Sequence, residues 1–385
     1  ARTVAAGPVR HVVLVGVPGL RWADVSAAAT PALWRLARQG SVGSLTVTGI
    51  GPLSCPADGW LMLNAGARAA APRTAAGSCA GLPAVTAVRY RGRTGSGARS
   101  RPFTRLTVQI VQMSAIVSAN QAYNENPAWG MLRSAAGPGE CTTAAGLGAA
   151  LALASRSGQV GAFLPGATGL TRAELARCPL TVVDLGTLRT APGLPAATDV
   201  RADDQEIGRI SAALPAGTIL VVAGISDDAA PHLQLLVVRG PGFRSGLLVS
   251  PSTRQRGLAL LLDLPVSVLH WLGRPVPSTA VGRCCAGAAG PAWPPRWRDW
   301  PARTPRRRST GPRWGGSSPS SGSATQSCSR SSRCCPGAGA KPAGGAAARW
   351  PGWPGSRPPA CPRAVSWPAW CRGGPGRTRP SCCTR

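Results

Sequence analysis

Three short runs of aliphatic and β-branched residues stand out in the first part of the chain. They occupy residues 11–17, 180–184 and 218–224, and each ends at, or is followed by, a turn-forming or acidic residue. Continuous apolar runs of this length, without alternation, are typical of strands that are buried on both faces of a parallel sheet. The pattern therefore predicts a central sheet that is covered on both sides.

Segments with helical spacing lie between these runs. Thr30 and Pro31 form a helix start, with Thr as N-cap and Pro in the first helical position, and Gly40 closes the helix. Residues 203–214 repeat isoleucine and leucine on one helical face. Alternating strands and helices predict an α/β fold with a largely parallel sheet flanked by helices.

Weaker patterns complete this prediction. Further strands are expected at residues 41–50 and 232–238, and helices at residues 61–66, 141–157 and 258–272. Residues 85–117 contain no acid and have an arginine-, glycine- and serine-rich centre, which is typical of a solvated loop or insertion. Ligands of such sheets bind beyond the carboxyl ends of the strands. Three residues at predicted strand ends are Pro18, Asp184 and Asp227.

The composition changes abruptly near residue 279. Residues 279–385 contain no Leu, Ile, Met, Phe, Tyr, Asn, Glu or His, but they hold 9 of the 13 cysteines, 8 of the 13 tryptophans and 17 of the 38 prolines. A segment with so few aliphatic residues cannot bury enough apolar surface to offset its ordering entropy. We therefore expect one α/β domain over residues 11–278, followed by a disordered basic tail over residues 279–385.

Three interpretations of this tail compete. Clustered arginine attracts the phosphates of nucleic acids or anionic membranes. Nine cysteines suit a disulfide module or a metal site. The third interpretation is translation out of frame, because Cys-Cys and Trp-Pro pairs arise when Leu-Leu and Leu-Ala codons are read one base late. We favour the third, since the tail has neither a CxxC pair nor a histidine for zinc.

The charge of the chain is concentrated in the tail. Of the net +29, the tail contributes +17 (18 minus 1) and residues 1–278 contribute +12 (25 minus 13). Leu- and Ala-rich stretches in the alternative frame are typical of transmembrane helices. The sequence therefore predicts a membrane partner for the intact gene product and no nucleic-acid partner.

The body of the chain contains an even number of cysteines. They allow two disulfides in three connectivities in an oxidising compartment, or four unpaired thiols. The four are Cys55, Cys79, Cys141 and Cys178. Residues 1–10 are expected to be an N-terminal extension, since they resemble the small-residue segment that follows a removed signal peptide.

Five short motifs follow one another along the body. They are VVLVGVPGLR (12–21), TPALWRLARQG (30–40), LSCPAD with LMLNAG (53–66), TILVVAGISD (218–227) and DLPVSVL (263–269). In this order they resemble the alkaline-phosphatase-like superfamily, in particular the domain of that fold in predicted membrane proteins of high-GC, actinobacterial-type bacteria. The resemblance covers most of residues 11–273.

The resemblance implies a hydrolase with a Ser or Thr nucleophile between two divalent metals, zinc or manganese. Ser54 matches the nucleophile, and Cys55 substitutes for it only if its thiolate is stabilised; the alternative is a buried or disulfide-bonded Cys55. Asp24 and Asp58 flank the same pocket, and Asp58 is equally suited to start the helix that follows it. The metal ligands that the resemblance implies are Asp184, Asp227, Asp228 and His232.

The sequence also departs from this pattern. Pro18 stands where the family has its first metal-binding Asp, and Asp227-Asp228 stands for an Asp-His pair. We therefore expect a phosphatase-like domain on the extracytoplasmic side of the cell membrane, with a degenerate metal site, no firm cofactor and an unidentified small-molecule or envelope ligand. Two alternatives stay open: an active phospho- or sulfo-ester hydrolase that uses Ser54, and a nucleic-acid-binding protein that uses the tail.

Overall fold

The computed structural model describes residues 9–88, 106–188, 199–227 and 231–289. Twelve strands in these ranges form one sheet. The strands are β1 (Val12–Gly16), β2 (Ser41–Thr46), β3 (Val85–Ala87), β4 (Leu106–Ile110), β5 (Thr142–Ala145), β6 (Gln159–Leu164), β7 (Leu180–Asp184), β8 (Ile219–Ala223), β9 (Gln234–Arg239), β10 (Gly246–Val249), β11 (Leu258–Leu260) and β12 (Ala286–Ala289). The helices are α1 (Pro31–Gln39), α2 (Pro56–Ala65), α3 (Met113–Ala119), α4 (Leu147–Leu153), α5 (Arg172–Leu175), α6 (Val200–Ala213) and α7 (Asp263–Trp271).

The strand order is β12-β10-β2-β9-β8-β1-β7-β5-β6-β4-β3, with β11 paired to β2. The central strands β8, β1, β7, β5 and β6 are all mutually parallel, whereas β9, β4, β3 and β12 pair antiparallel to their neighbours. The predicted α/β fold with a largely parallel sheet flanked by helices is confirmed.

Strand β1 is apolar on both faces because each face packs against a different hydrophobic cluster. Val12 and Leu14 belong to the hydrophobic cluster that contains residues of α2 and α4. Val13 and Val15 belong to the cluster on the other face, with residues of α1 and α6. All four side chains are fully buried, because helices cover both faces of a parallel sheet.

The start of α1 is stabilised from a distant part of the chain. Pro31 takes the first helical position as predicted, but the side chain of Thr30 makes no capping bond to the helix. Instead, the buried carboxylate of Asp204, on α6, accepts hydrogen bonds from the amides of Ala32 (3.0 Å) and Leu33 (2.8 Å). A carboxylate at this end also complements the positive end of the helix dipole.

Two expected helices are each preceded by a strand. Residues 141–157 form β5 and then α4, separated by Gly146, whose φ of 96° lies in a region that favours glycine. Residues 258–272 form β11 and then α7, and Pro265 lies in the first helical turn, where its missing N–H costs nothing. Apolar runs of small residues fit either state, so periodicity alone did not separate strand from helix.

The sheet extends into both segments that the sequence analysis set apart. Within the expected loop at 85–117, β3, β4 and the first part of α3 are regular elements, and residues 89–105 lie outside the described residues. Beyond residue 278, β12 pairs with β10, and the amide of Cys285 donates to Ser267 Oγ (2.8 Å). The remainder of the predicted tail, 290–385, lies outside the described residues.

The four body cysteines form two disulfides, Cys55–Cys79 and Cys141–Cys178. The first joins the start of α2 to the segment after it, and the second joins the residues preceding β5 and β7. Among the helices of the described ranges, none has the length and apolar character needed to cross a bilayer.

Candidate functional site

Ser54 and Asp227 meet beside the start of α2. The amide of Ser54 donates to Asp227 Oδ2 (3.1 Å), and the amide of Asp227 donates to the carbonyl of Ser54 (3.0 Å). Ser54 is only 1% exposed, and its hydroxyl donates to the carbonyl of Val47. The two predicted site residues are therefore neighbours, but the Ser54 hydroxyl already has a main-chain partner.

His232 adjoins the same carboxylate through its backbone. Its amide donates to Asp227 Oδ1 (3.1 Å), so both carboxylate oxygens of Asp227 accept main-chain N–H groups. Asp227 follows β8 by a short turn and is buried, whereas His232 is exposed just before β9. The structure thus gathers Ser54, Asp227 and His232 at one corner. Asp228 lies outside the described residues.

Asp184 occupies a different place, at the end of β7 opposite Gly16 of β1. Its Oδ2 accepts from the amide of Gly148 in α4 (2.8 Å), and its Oδ1 accepts from the amide of Gly186 (2.9 Å). Burial of the carboxyl group raises the pKa of Asp184, and these two hydrogen bonds act in the opposite direction. The carboxylate joins the start of α4 to the end of β7.

Asp58 has four hydrogen-bonded contacts, all within the protein. Its carboxylate accepts from the amides of Cys55 (2.8 Å) and Ala71 (2.6 Å), and both oxygens contact the guanidinium of Arg73 (2.6 and 2.9 Å). Asp58 is 2% exposed, and its hydrogen bond raises the pKa of Arg73. The sequence allowed either a catalytic role or a helix-capping role for Asp58. These contacts are those of a residue that stabilises the start of α2.

Cys55 precedes α2 and is bonded to Cys79, so it carries no thiol in this structure. Asp24, the other flanking acid, accepts from the amide of Arg21 (2.9 Å) in a short 3-10 turn after β1. Neither residue presents a free nucleophile. The disulfide agrees with the structural alternative for Cys55 that the sequence left open.

Trp60 is the site feature that the sequence reasoning missed. Its indole is fully buried and lies directly beside the end of β1 and the start of α4. A Cβ added at Gly16 would come within 2.4 Å of the ring, and one added at Gly148 within 2.0 Å of Nε1. Gly16 and Gly148 are the sequence signal for this packing, because the Trp60 ring leaves no room for a side chain at either position.

Within the described ranges, the side chains do not assemble a two-metal centre. In the ranges that the structure describes, no three of the His, Cys, Asp and Glu side chains come close enough together to hold a metal ion. The predicted ligands Asp184 and Asp227 each accept hydrogen bonds from two backbone amides. Pro18, just after β1, has no side chain that can bind a metal. A zinc site needs three or four such ligands per metal.

Comparisons with known proteins give only distant similarities of fold. No protein-family model and no curated protein matches the chain. Human ectonucleotide pyrophosphatase / phosphodiesterase 5 is similar to it with 10% identity and a TM-score of 0.42, over 69% of this chain and 96% of that one. An alkaline phosphatase superfamily protein from Vibrio parahaemolyticus is similar with 12% identity and a TM-score of 0.39, over 73% and 70%. Similarity at this level does not identify equivalent site residues.

Proposed function

We propose that this chain is an alkaline-phosphatase-like domain that has lost metallohydrolase activity and acts by binding on the extracytoplasmic side of a membrane. The observation that carries the proposal is the state of Ser54, the residue matched to the nucleophile. It is 1% exposed, and its hydroxyl donates to the Val47 carbonyl. A nucleophile must instead be activated by a base within hydrogen-bonding reach and must meet the substrate.

The space beyond the first strand supports the same proposal. In a parallel sheet this is where a ligand normally binds. Here the indole of Trp60 lies against Gly16 at the end of β1, and Asp184 is engaged by the amides of Gly148 and Gly186. The side chains nearest the strand ends thus stabilise the fold of the domain.

The two disulfides support the proposed compartment. Disulfides persist in oxidising environments such as the periplasm and the cell exterior and are rare in the cytosol. Cys55–Cys79 and Cys141–Cys178 both lie in the sheet-bearing part of the chain. Membrane attachment is proposed through helices encoded by the intact reading frame in place of residues 279–385.

One specific observation favours an active hydrolase as the second candidate. Ser54, Asp227 and His232 lie at one corner, joined by hydrogen bonds of 3.0 to 3.1 Å that their main-chain amides donate. A rearrangement of the Ser54 hydroxyl away from Val47 would turn this corner into a nucleophile beside the carboxylate of Asp227. This alternative uses the same residues, so one set of variants tests both.

The test is hydrolysis by the purified chain of an aryl phosphate monoester, an aryl phosphate diester and an aryl sulfate, each with added zinc or manganese. We expect rates that are equal for the wild type, Ser54→Ala and the matched control Ser118→Ala, an exposed serine of α3. Activity that disappears with a chelator and in Ser54→Ala, but survives in Ser118→Ala, would contradict the proposal and establish the second candidate.

Metal titration gives an independent measurement. Calorimetry with zinc or manganese is expected to show no saturable binding in the micromolar range, because each described carboxylate of the site is already engaged. Stoichiometric binding that Asp227→Asn removes would show that Asp228 or another residue completes a metal site.

The tail is tested at the level of DNA. We propose that residues 279–385 are read out of frame, and that an adjacent frame encodes apolar runs of about 20 residues. Resequencing the coding region and translating all three frames measures this directly. If no frame contains such runs, the proposed membrane attachment is wrong.

A further inference from the structure

A cleft of about 400 Å³ shares no lining residue with the candidate site. Its wall includes the segment after α3, which is fixed to the C-terminal end of α2: the amide of Ala128 donates to the carbonyl of Ala65 (2.8 Å), and the amide of Met131 donates to the carbonyl of Asn64 (2.8 Å). The volume is in the range of small-molecule binding sites.

Two aromatic rings line this cleft. Tyr123 is 40% exposed, and Trp129 is partly buried and packs against the hydrophobic core while it lines the cleft. Trp129 is therefore held firmly by the protein and still available to a ligand. Exposed aromatic faces bind apolar surfaces of otherwise polar molecules, and their few rotatable bonds keep the entropic cost low.

Three polar side chains of the cleft have unused hydrogen-bonding capacity. Gln121, Asn126 and Arg156 make no side-chain hydrogen bond or ion pair to any other residue in the described ranges. Asn126 also has a φ of 47°, an uncommon conformation for a residue other than glycine. Amides donate and accept at once, and a guanidinium offers a planar set of donors that suits a carboxylate.

Two further polar residues at or near the cleft are already engaged. The amide of Asn120 bonds to the main chain of Ala70 (2.8 and 2.9 Å) and to the carbonyl of Ile116 (2.8 Å). Glu125, next to the cleft in sequence, pairs with Arg68 (2.6 Å). Among the lining residues Arg156 is the one formal charge, so the cleft favours a ligand with an acidic group.

We propose that this cleft binds an acidic saccharide. The C–H faces of a pyranose ring stack on Trp129 and Tyr123, the amides of Gln121 and Asn126 pair with neighbouring hydroxyls, and Arg156 pairs with the carboxylate. A neutral sugar would leave the arginine unused, and a purely apolar ligand would leave all three polar side chains unpaired.

The test is calorimetric titration of the full chain with a glucuronate-containing tetrasaccharide and, separately, with a neutral glucose tetrasaccharide of the same length. We expect the acidic ligand to bind with a dissociation constant of roughly 0.1–1 mM and the neutral one about tenfold more weakly. Equal affinity for the two ligands, or no heat from either at about 5 mM, would overturn the proposal.

Variants separate the contributions of charge and stacking. Arg156→Gln is expected to lower affinity for the acidic ligand about tenfold, to the level of the neutral one. Tyr123→Ala and Trp129→Ala are expected to weaken both ligands by roughly three- to tenfold. Arg172→Gln, an exposed arginine of α5, is the matched control and should bind like the wild type.

Trp129 contacts the core, so its variant is accompanied by a thermal melt, and Tyr123→Ala gives the stacking result if Trp129→Ala unfolds. Binding that persists unchanged in both Arg156→Gln and Tyr123→Ala would place the ligand elsewhere and refute the proposal. The titration needs no metal and no hydrolysis, so its outcome is independent of whether Ser54 is catalytic.

Discussion

Gly148→Ala tests whether the indole of Trp60 fills the end of the sheet as tightly as the structure indicates. Helix propensity alone predicts a gain, since alanine is better than glycine inside a helix by about 0.8–1.0 kcal/mol. The new Cβ, however, would lie 2.0 Å from Trp60 Nε1 and 2.3 Å from Cε2. The ring is confined on its other side by Gly16, so it cannot move away without displacing β1.

Overpacking of a core costs typically about 1–3 kcal/mol, and a contact this short belongs at the upper end of that range. Subtracting the propensity gain of about 1 kcal/mol leaves a net loss of roughly 1–2 kcal/mol in the free energy of unfolding. The assay is urea unfolding in non-reducing buffer, followed by far-UV circular dichroism. The midpoint should fall with no change in slope.

The matched control is Gly161→Ala in β6, where an added Cβ meets no atom within 4 Å. It should be neutral or stabilising by a few tenths of a kcal/mol. In a Trp60→Phe background, Gly148→Ala should cost less than it does alone, because the smaller ring leaves room for the methyl group. A stabilised Gly148→Ala, or strictly additive effects in the double variant, would refute the reasoning.

Three further predictions concern buried charges. Arg73→Met leaves the carboxylate of Asp58 without its cation and should lower the free energy of unfolding by roughly 3 kcal/mol, measured by urea unfolding; a loss below about 1 kcal/mol would contradict it. Asp204→Ala removes both hydrogen bonds to the start of α1 and should cost about 2 kcal/mol in a thermal melt, whereas Glu206→Ala, on the same helix, should cost little. Burial raises the pKa of Asp184 above its ordinary 3.8, so the folded state keeps the carboxyl proton to a higher pH than the unfolded chain does. The contribution of Asp184 to stability therefore falls as the pH rises from 3.8 through the pKa of the folded state. Asp184→Asn should remove this part of the slope in urea midpoints measured from pH 3.8 upward, and an unchanged slope would contradict the assignment.

The sequence predicted the parts of the fold that depend on local pattern. The runs at β1, β7 and β8 are continuous and apolar because helices cover both faces of the sheet, and that requirement is visible residue by residue. The bounds of α1 followed from Pro31 and Gly40. The segment of β5 and α4 was misassigned, because its small residues satisfy both periods.

Features that depend on distant pairing were beyond sequence reasoning. Asp204 stabilises a helix that lies about 170 positions earlier in the chain, and no local pattern indicates it. The pairing of the four cysteines was one of three possibilities until the fold joined Cys55 to Cys79. At the candidate site, the sequence identified Ser54 and Asp227, but only the structure shows that they contact each other.

Strand β12 has a consequence for how this protein behaves when its chain is shortened or misread. Its sequence is Ala-Gly-Ala-Ala, so the strand is held to β10 by main-chain hydrogen bonds and contributes almost no side-chain specificity. A product ending at residue 285 would expose the edge of β10, and any short extended peptide, including the same strand of another copy, can occupy an open edge. Strand exchange and self-association are therefore the expected behaviour of products that end just before β12.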